Sequence, residues 1–302
     1  MTPNSEIKLI ELIRSLAGPS HNPALIKSIG DDCAIVRPPA RRDMVFTSDF
    51  VLEDRHFTLD THTPGEVGHK ALARSLSDLA AMGAQPLFCL VSLAVPAHLA
   101  SSFVPRFYRG LLALARQHNI ELAGGDLAQF PQVIADVMCC GTVARGKAFL
   151  RSAAKPGDLI YVTGSLGASS LGFRTKRGAP WKMHRSPTPR IEAALALRKA
   201  GVLCAMDISD GLSLDLARLC NESNVSAELI SALPLAAGAS LDDALNGGED
   251  YELLFTASPR KKIPTRVAGL PVTNIGRVTG RQPVLIKLDG KPLPQKGFDH
   301  FA

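Results

Sequence analysis

The sequence predicts an α/β (α+β) protein of two domains, and three observations carry that prediction. Helix-period and strand-like apolar runs alternate along all 302 residues. A polar, turn-forming bridge, Arg151-Ser152-Ala153-Ala154-Lys155-Pro156-Gly157-Asp158, divides them into halves of ordinary domain length, 1–150 and 151–302. Each half also carries glycine-rich acidic turns beside strands, as a duplicated αβ design would.

Taken in order, residues 5–16 place Ile7, Leu9, Ile10, Leu12 and Ile13 on one broad face of a helix that stops near Gly18-Pro19. Gly30-Asp31-Asp32 follows as a tight acidic turn before Ile35-Val36, and its acids are either turn chemistry or an oxygen cluster. Met44-Val45-Phe46 reads as a strand ending in Thr47-Ser48-Asp49, and Glu53-Asp54-Arg55-His56 as a charged turn. Leu72, Leu76 and Leu79 then recur at helical spacing, which puts Asp78 beside a buried stripe. Residues 86–95 form a buried strand, 101–117 a helix, and 120–126 a short strand ending in Gly124-Gly125-Asp126; 132–143 form another strand.

Past the bridge, Leu159-Ile160-Tyr161-Val162 is a strand that turns through Thr163-Gly164-Ser165-Leu166-Gly167 into a helix, a natural anion-binding corner. Residues 174–190 are basic and proline-rich and hold the only tryptophan, Trp181; they read as a connector or as a lid over negative charge. A helix covers 189–199. Asp207, Ser209 and Asp210 then crowd a strand-to-helix junction, and Gly247-Gly248-Glu249-Asp250 repeats the logic of glycines, acids and a strand.

The chemistry these residues suit is that of hard cations and phosphates. Mg²⁺ takes oxygen ligands, commonly one or two carboxylates together with phosphate and water. Asp32, Asp49, Asp78, Asp126, Asp207 and Asp210 all lie in turns or at element edges beside glycine or hydroxyl residues. One Ser or Asp at a helix start is no more than an N-cap. Two carboxylates and a hydroxyl exceed that need, and their mutual repulsion favours a bound cation. The residues therefore point to a Mg²⁺-dependent enzyme acting on phosphates.

Several classes are excluded. No G-x-S-x-G, Walker A or G-x-G-x-x-G pattern occurs, and no His pair has zinc-ligand spacing. The six cysteines form no C-x-x-C pair and read as reduced structural thiols. A net charge of +6 with 5% aromatic residues suits anionic small molecules rather than nucleic acid. No apolar run has bilayer-spanning length and the N-terminus lacks signal-peptide layout, so the expected protein is cytoplasmic without membrane association.

In this order, Gly30-Asp31-Asp32, Thr47-Ser48-Asp49 with His56, Ser77-Asp78, Gly124-Gly125-Asp126, Met206-Asp207-Ile208-Ser209-Asp210-Gly211-Leu212 and Gly247-Gly248-Glu249-Asp250-Tyr251-Glu252-Leu253 resemble the motifs of the thiamine-monophosphate kinases over nearly the whole chain. The resemblance implies the two-domain aminoimidazole ribonucleotide synthetase-like fold. Its N-terminal sheet, in the domain at 1–150, pairs with its twin in a homodimer; the C-terminal α/β domain, 151–302, completes the active site. It implies direct in-line transfer of the γ-phosphoryl group from ATP to thiamine monophosphate with several Mg²⁺ ions. Carried over by position, Asp32, Thr47, Ser48, Asp49, Asp78, Asp126, Asp207 and Asp210 are metal ligands. Tyr108, Gly125, Asp126, Arg151 and Ser209 meet ATP, and His56, Glu249 and Phe298 meet the thiamine phosphate.

Three positions depart from the family pattern: Phe298 replaces a frequent Trp, Ala168 an acid, and Ser186 an Arg, with Arg185 one step earlier. Sister enzymes of the fold are the nearest rivals. Selenophosphate synthetase and the hydrogenase maturation factor are disfavoured by the lack of a Cys in an N-terminal Gly-rich turn or at the tail. A Mg-ATP sensor without turnover would lack His56 and Glu249, and both are present.

Overall fold

The computed structural model describes residues 6–29 and 33–298. The chain forms two compact units, Met1–Leu79 with Gln85–Arg145, and Ala80–Ala84 with Gly146–Ala302.

The first unit runs α1 (Glu6–Ala17), β1 (Leu25–Lys27), β2 (Ile35–Val36), β3 (Arg42–Leu52), α2 (Pro64–Ala81), β4 (Gln85–Val95), α3 (Ala100–Gln117), β5 (Glu121–Gln129) and β6 (Ile134–Ala144). Its four-stranded sheet has the order β3-β6-β4-β5. Only β4 and β5 are parallel, and α3 supplies the crossover such a pair requires. Leu72, Leu76 and Leu79 of α2 are fully buried, as are Val51, Val91 and Val137 from the strands. Each such side chain contributes about 1.5–3 kcal/mol by leaving water.

Two expectations are corrected here. Thr47-Ser48-Asp49 lies in the middle of β3, which continues to Leu52 because β6 pairs with it residue for residue as far as Ile134. Likewise Gly124-Gly125-Asp126 lies inside β5, paired with Leu90, Val91 and Ser92. Gly125 has φ +153°, and a Cβ there would sit 1.9 Å from the Val91 carbonyl oxygen. The glycine serves close strand approach beside a register shift, not a turn.

The second unit opens with a 3₁₀ turn (Arg151–Ala153), then β7 (Leu159–Thr163), α4 (Ala168–Thr175), α5 (Gly178–Arg185), α6 (Ile191–Lys199), β8 (Cys204–Asp207), α7 (Leu212–Glu222), β9 (Val225–Leu229), α8 (Leu241–Asn246), β10 (Leu253–Ala257), β11 (Arg266–Val267), β12 (Leu270–Gly280), β13 (Ile286–Leu288) and β14 (Lys291–Pro292). The sheet order is β14-β13-β9-β12-β7-β10-β8, with β11 added beside β12. Ile160, Val162, Met206, Leu216, Leu219, Leu254 and Ile275 form its core.

The basic stretch 174–190 is not simply a connector or loop: α5 occupies its middle and packs on α4. Pro180 falls in the first turn of α5, where a missing N–H costs nothing. A Cβ on Gly172 would lie 2.3 Å from the Pro180 carbonyl oxygen, so the glycine lets the two helices touch. Proline and charge concealed this helix in the sequence. No helix among the described residues is long and apolar enough to cross a membrane.

Candidate functional site

In the first unit, the alternation of β3 decides which candidates share a face. Thr47 and Asp49 point to the side that carries buried Val51. Thr47 Oγ1 donates a short hydrogen bond to Asp78 Oδ2, and Arg74, one helical turn before Asp78, lies 3.7 Å from Asp49 Oδ1. These residues form one oxygen-rich corner. Ser48 points the other way and donates to Asp136 Oδ1 at 2.6 Å. Asp126 is in register with Ser92, Ser92 with Asp136, and Asp136 with Phe50, so Asp126 shares the outward face of Ser48. The candidate ligands of this unit thus divide between two faces of the sheet. Asp32 lies outside the described residues. Among the described residues, no three His, Cys, Asp or Glu side chains gather as a metal cage.

Tyr108, Gly125 and Asp126 line one cavity of about 1000 Å³, walled by Ile10, Phe88 and Leu90. Burial, and then the charges of Cys89 and Asp126, push the Tyr108 hydroxyl upward and keep it protonated. His56 is buried, and its Nδ1 accepts the Leu52 N–H at 3.0 Å. Lys70, fully buried, donates its Nζ to the His56 carbonyl at 2.9 Å. Sequence reading assigned Lys70 no role, yet Lys70, Arg74 and Asp78 recur every four residues as a polar stripe on an apolar helix.

In the second unit, Asp207 ends β8, buried, and the chain turns through Ser209 and Asp210 into α7. Neither Ser209 nor Asp210 caps the helix. The N-cap is Gly211, and Asp215 accepts the backbone N–H groups of Ser209, Asp210 and Gly211 at 3.0, 3.0 and 3.2 Å. Burial drives the Asp215 carboxyl up to about 7, the charges of Asp207 and Asp210 add to that, and the turn's N–H groups and Arg218 oppose it. Arg218 also pairs with Asp210. With the turn satisfied by Asp215, the Asp210 side chain stays partly exposed, at 26%.

Glu249 and Phe298 join this corner through the backbone. The Glu249 N–H donates to the Ser209 carbonyl at 2.8 Å and the Phe298 N–H to the Asp210 carbonyl at 3.1 Å. Arg151 does not join it. Its carbonyl accepts from Ser223 Oγ at 2.6 Å, at the C-terminal end of α7, whereas Asp210 precedes the N-terminal end. The expected anion-binding corner before α4 is filled by the chain itself: Gly167 and Ser169 donate their N–H groups to Asp250 at 2.6 and 3.2 Å. Burial pushes this carboxyl up to about 7 despite those donors.

Comparison with known proteins adds a second line. Residues 30–143 match the family model described as AIR synthase related protein, N-terminal domain, and residues 155–287 match its C-terminal domain. The thiamine-monophosphate kinase of Haemophilus influenzae is 37% identical over 305 residues, 91% of either chain. A crystal structure of the thiamine-monophosphate kinase of Stenotrophomonas maltophilia K279a superposes with a TM-score of 0.83 at 34% identity, covering 96% of this chain and 98% of that one. The structure of AaThiL complexed with AMPPCP and TMP is similar at a TM-score of 0.78 and 32% identity, covering 98% and 97%.

Proposed function

The chain belongs to the thiamine-monophosphate kinases of the AIR synthase related family, and from that premise we infer that it phosphorylates thiamine monophosphate to thiamine diphosphate with ATP. The observation that carries this reading is the 37% identity with a thiamine-monophosphate kinase along nine-tenths of both chains. The bound molecules of AaThiL, AMPPCP and TMP, support the same pair of substrates.

The proposed mechanism is direct in-line transfer of the γ-phosphoryl group. Such a reaction asks little covalent chemistry of the protein, so the work falls on positioning and on charge. The proposed donor set is oxygen throughout: Thr47, Asp49 and Asp78 in one unit, Asp207 and Asp210 in the other. Hydroxyls and carboxylates of this kind fit Mg²⁺, which is typically held by few carboxylates and completed by substrate phosphate. Mg²⁺ bound there would neutralise phosphate charge. Ser48 and Asp126, on the opposite face of the first unit's sheet, and Asp32, outside the described residues, are proposed as further ligands.

Tyr108, Gly125 and Asp126, proposed to meet ATP, line one cavity of the first unit. On the acceptor side, His56 contacts the thiamine phosphate while Glu249 and Phe298 face its cationic ring, a carboxylate and an aromatic surface each attracting positive charge. We also propose a cytoplasmic homodimer that pairs through the first unit's sheet. Phe46 and Phe50, 61% and 57% exposed on the outward face of β3, support that surface.

The test is to incubate the protein with Mg-ATP and thiamine monophosphate and to separate ADP and thiamine diphosphate by chromatography, beside a Mg²⁺-free control. Matched, Mg²⁺-dependent formation of both products is expected. ADP without thiamine diphosphate would move the assignment to a sister enzyme. Asp49→Ala and Asp210→Ala are each expected to abolish turnover with unchanged circular dichroism; normal turnover in both folded variants would remove the ligand assignment.

A further inference from the structure

The Glu249 carboxylate is held in an unusual way. Its backbone is left-handed, φ +61°, and so is that of Tyr251, φ +51°. Side chains larger than glycine occupy that region at a cost, and such strain gathers at functional positions. One oxygen, Oε1, accepts from the Tyr251 hydroxyl at 3.5 Å. The other, Oε2, lies 3.3 Å from Nδ1 of His184, while the carboxylate side chain remains 20% exposed.

His184 comes from α5, the helix concealed in the basic, proline-rich stretch. Its ring is fixed from several sides. Trp181 stacks on it at 5.3 Å and 12°, Phe173 lies against it at 5.4 Å, and Ser169 Oγ is 2.9 Å from Nδ1. Arg185 in turn covers Trp181 at 5.1 Å. A buried, stacked imidazole has little freedom to follow a moving carboxylate, so the carboxylate must stay where the ring is.

We propose that His184 is a positioning residue, which aims the Glu249 carboxylate at the cationic ring of the acceptor substrate. A carboxylate can only accept, so Nδ1 carries the hydrogen and shares it between Glu249 Oε2 and Ser169 Oγ. Ser169, 2% exposed, serves as a second acceptor and not as a nucleophile. Helix α5 thereby acts on substrate recognition through Glu249 without touching substrate. The inference rests on the reading of Glu249 as a contact to the thiamine phosphate.

Two measurements test it. The first needs no substrate: the His184 imidazole is titrated by NMR in the wild-type protein and in Glu249→Gln. A nearby carboxylate favours the charged imidazole, so the titration midpoint falls when the acid is removed. An unchanged midpoint overturns the pairing whatever reaction the enzyme performs. The second is kinetic. His184→Ala is expected to raise the KM for thiamine monophosphate about tenfold, the value of one hydrogen bond to a charged group, with kcat and the KM for ATP within about twofold. His184→Asn, whose Nδ2 stands where Nδ1 was, recovers most of that loss, and His184→Gln does not. A parallel rise in both KM values, or an Asn variant no better than Ala, overturns the positioning role. Absence of thiamine diphosphate from the wild-type protein would instead refute the proposed function, and the NMR titration would still decide the pairing.

Discussion

Replacing Arg190 by Met isolates the ion pair that anchors the Glu249 segment. Arg190 donates to Glu252 twice, Nε to Oε2 at 2.9 Å and an Nη to Oε1 at 2.6 Å, and Thr163 Oγ1 adds a bond of 2.6 Å. Glu252 is 1% exposed. Its carboxyl stands above the ordinary range because burial outweighs the arginine. Met keeps the bulk of the side chain and removes the charge, so Glu252 is left buried without its cation. Breaking such a pair costs about 3–5 kcal/mol.

The sign of the pH dependence follows. Removing Arg190 raises the folded-state pKa of Glu252 further, so between the wild-type and variant values the variant holds a proton that the wild type lacks. Lowering the pH through that interval returns stability to the variant at up to about 1.4 kcal/mol per unit. Trp181 is the only tryptophan and lies in the same unit, so its fluorescence reports this unit's unfolding. Urea is the denaturant of choice because it adds no ions to screen the pair. The expected outcome is a deficit of about 3–5 kcal/mol at pH 8.5 that is smaller at pH 6. Arg190→Met with Glu252→Gln should regain most of it. Equal deficits at the two pH values, or a double variant no more stable than the single one, would refute the reasoning.

Two further outcomes follow from the same kind of geometry. Gly125→Ala places a Cβ 1.9 Å from the Val91 carbonyl oxygen at φ +153°, a backbone collision that no rotamer relieves. Strain of about 1–3 kcal/mol is expected, seen as faster amide hydrogen exchange in β4 and β5; unchanged protection in both strands would contradict it. Asp250, raised to about 7, binds a proton on folding between the ordinary carboxylate range and neutrality, so its contribution is present at low pH and lost as pH rises through 7. Asp250→Asn should therefore gain on the wild type by up to about 1.4 kcal/mol per unit between pH 5 and 7, read by Trp181 fluorescence in urea; a constant gap would sink that account.

Local signals in the sequence identified most elements and missed the partners that lie far along the chain. The leucine spacing of α2 and the acids at the β8–α7 junction are local, and both stand where expected. Asp136 sits inside an apolar strand, and its tie to Ser48 is made by strands pairing across 88 positions, which no window of sequence displays. Helix α5 was hidden because proline and charge are counted against helix unless the proline is known to fall in the first turn. The turn before α4 reads in sequence as an anion-binding corner; that its N–H groups are taken by the chain's own Asp250, 83 positions onward, is a fact of tertiary structure.

This last case generalises within the second unit. Acids occur there in neighbouring sets, and the structure separates them by what their oxygens already hold. Asp215 accepts three backbone N–H groups, Asp250 two, and Glu252 is enclosed by Arg190 and Thr163. All three are buried and raised toward the neutral form, as befits groups whose task is to hold a turn. Asp210 and Glu249, their neighbours, stay 26% and 20% exposed. A count of acids in the motifs therefore exceeds the number that reach solvent. Because the buried members fix the backbone, Asp210 and Glu249 stand at defined positions, the first paired with Arg218 and the second with His184 and Tyr251. A buried acid exchanged for its amide should change stability and its pH profile; an exposed one should change substrate or metal affinity first.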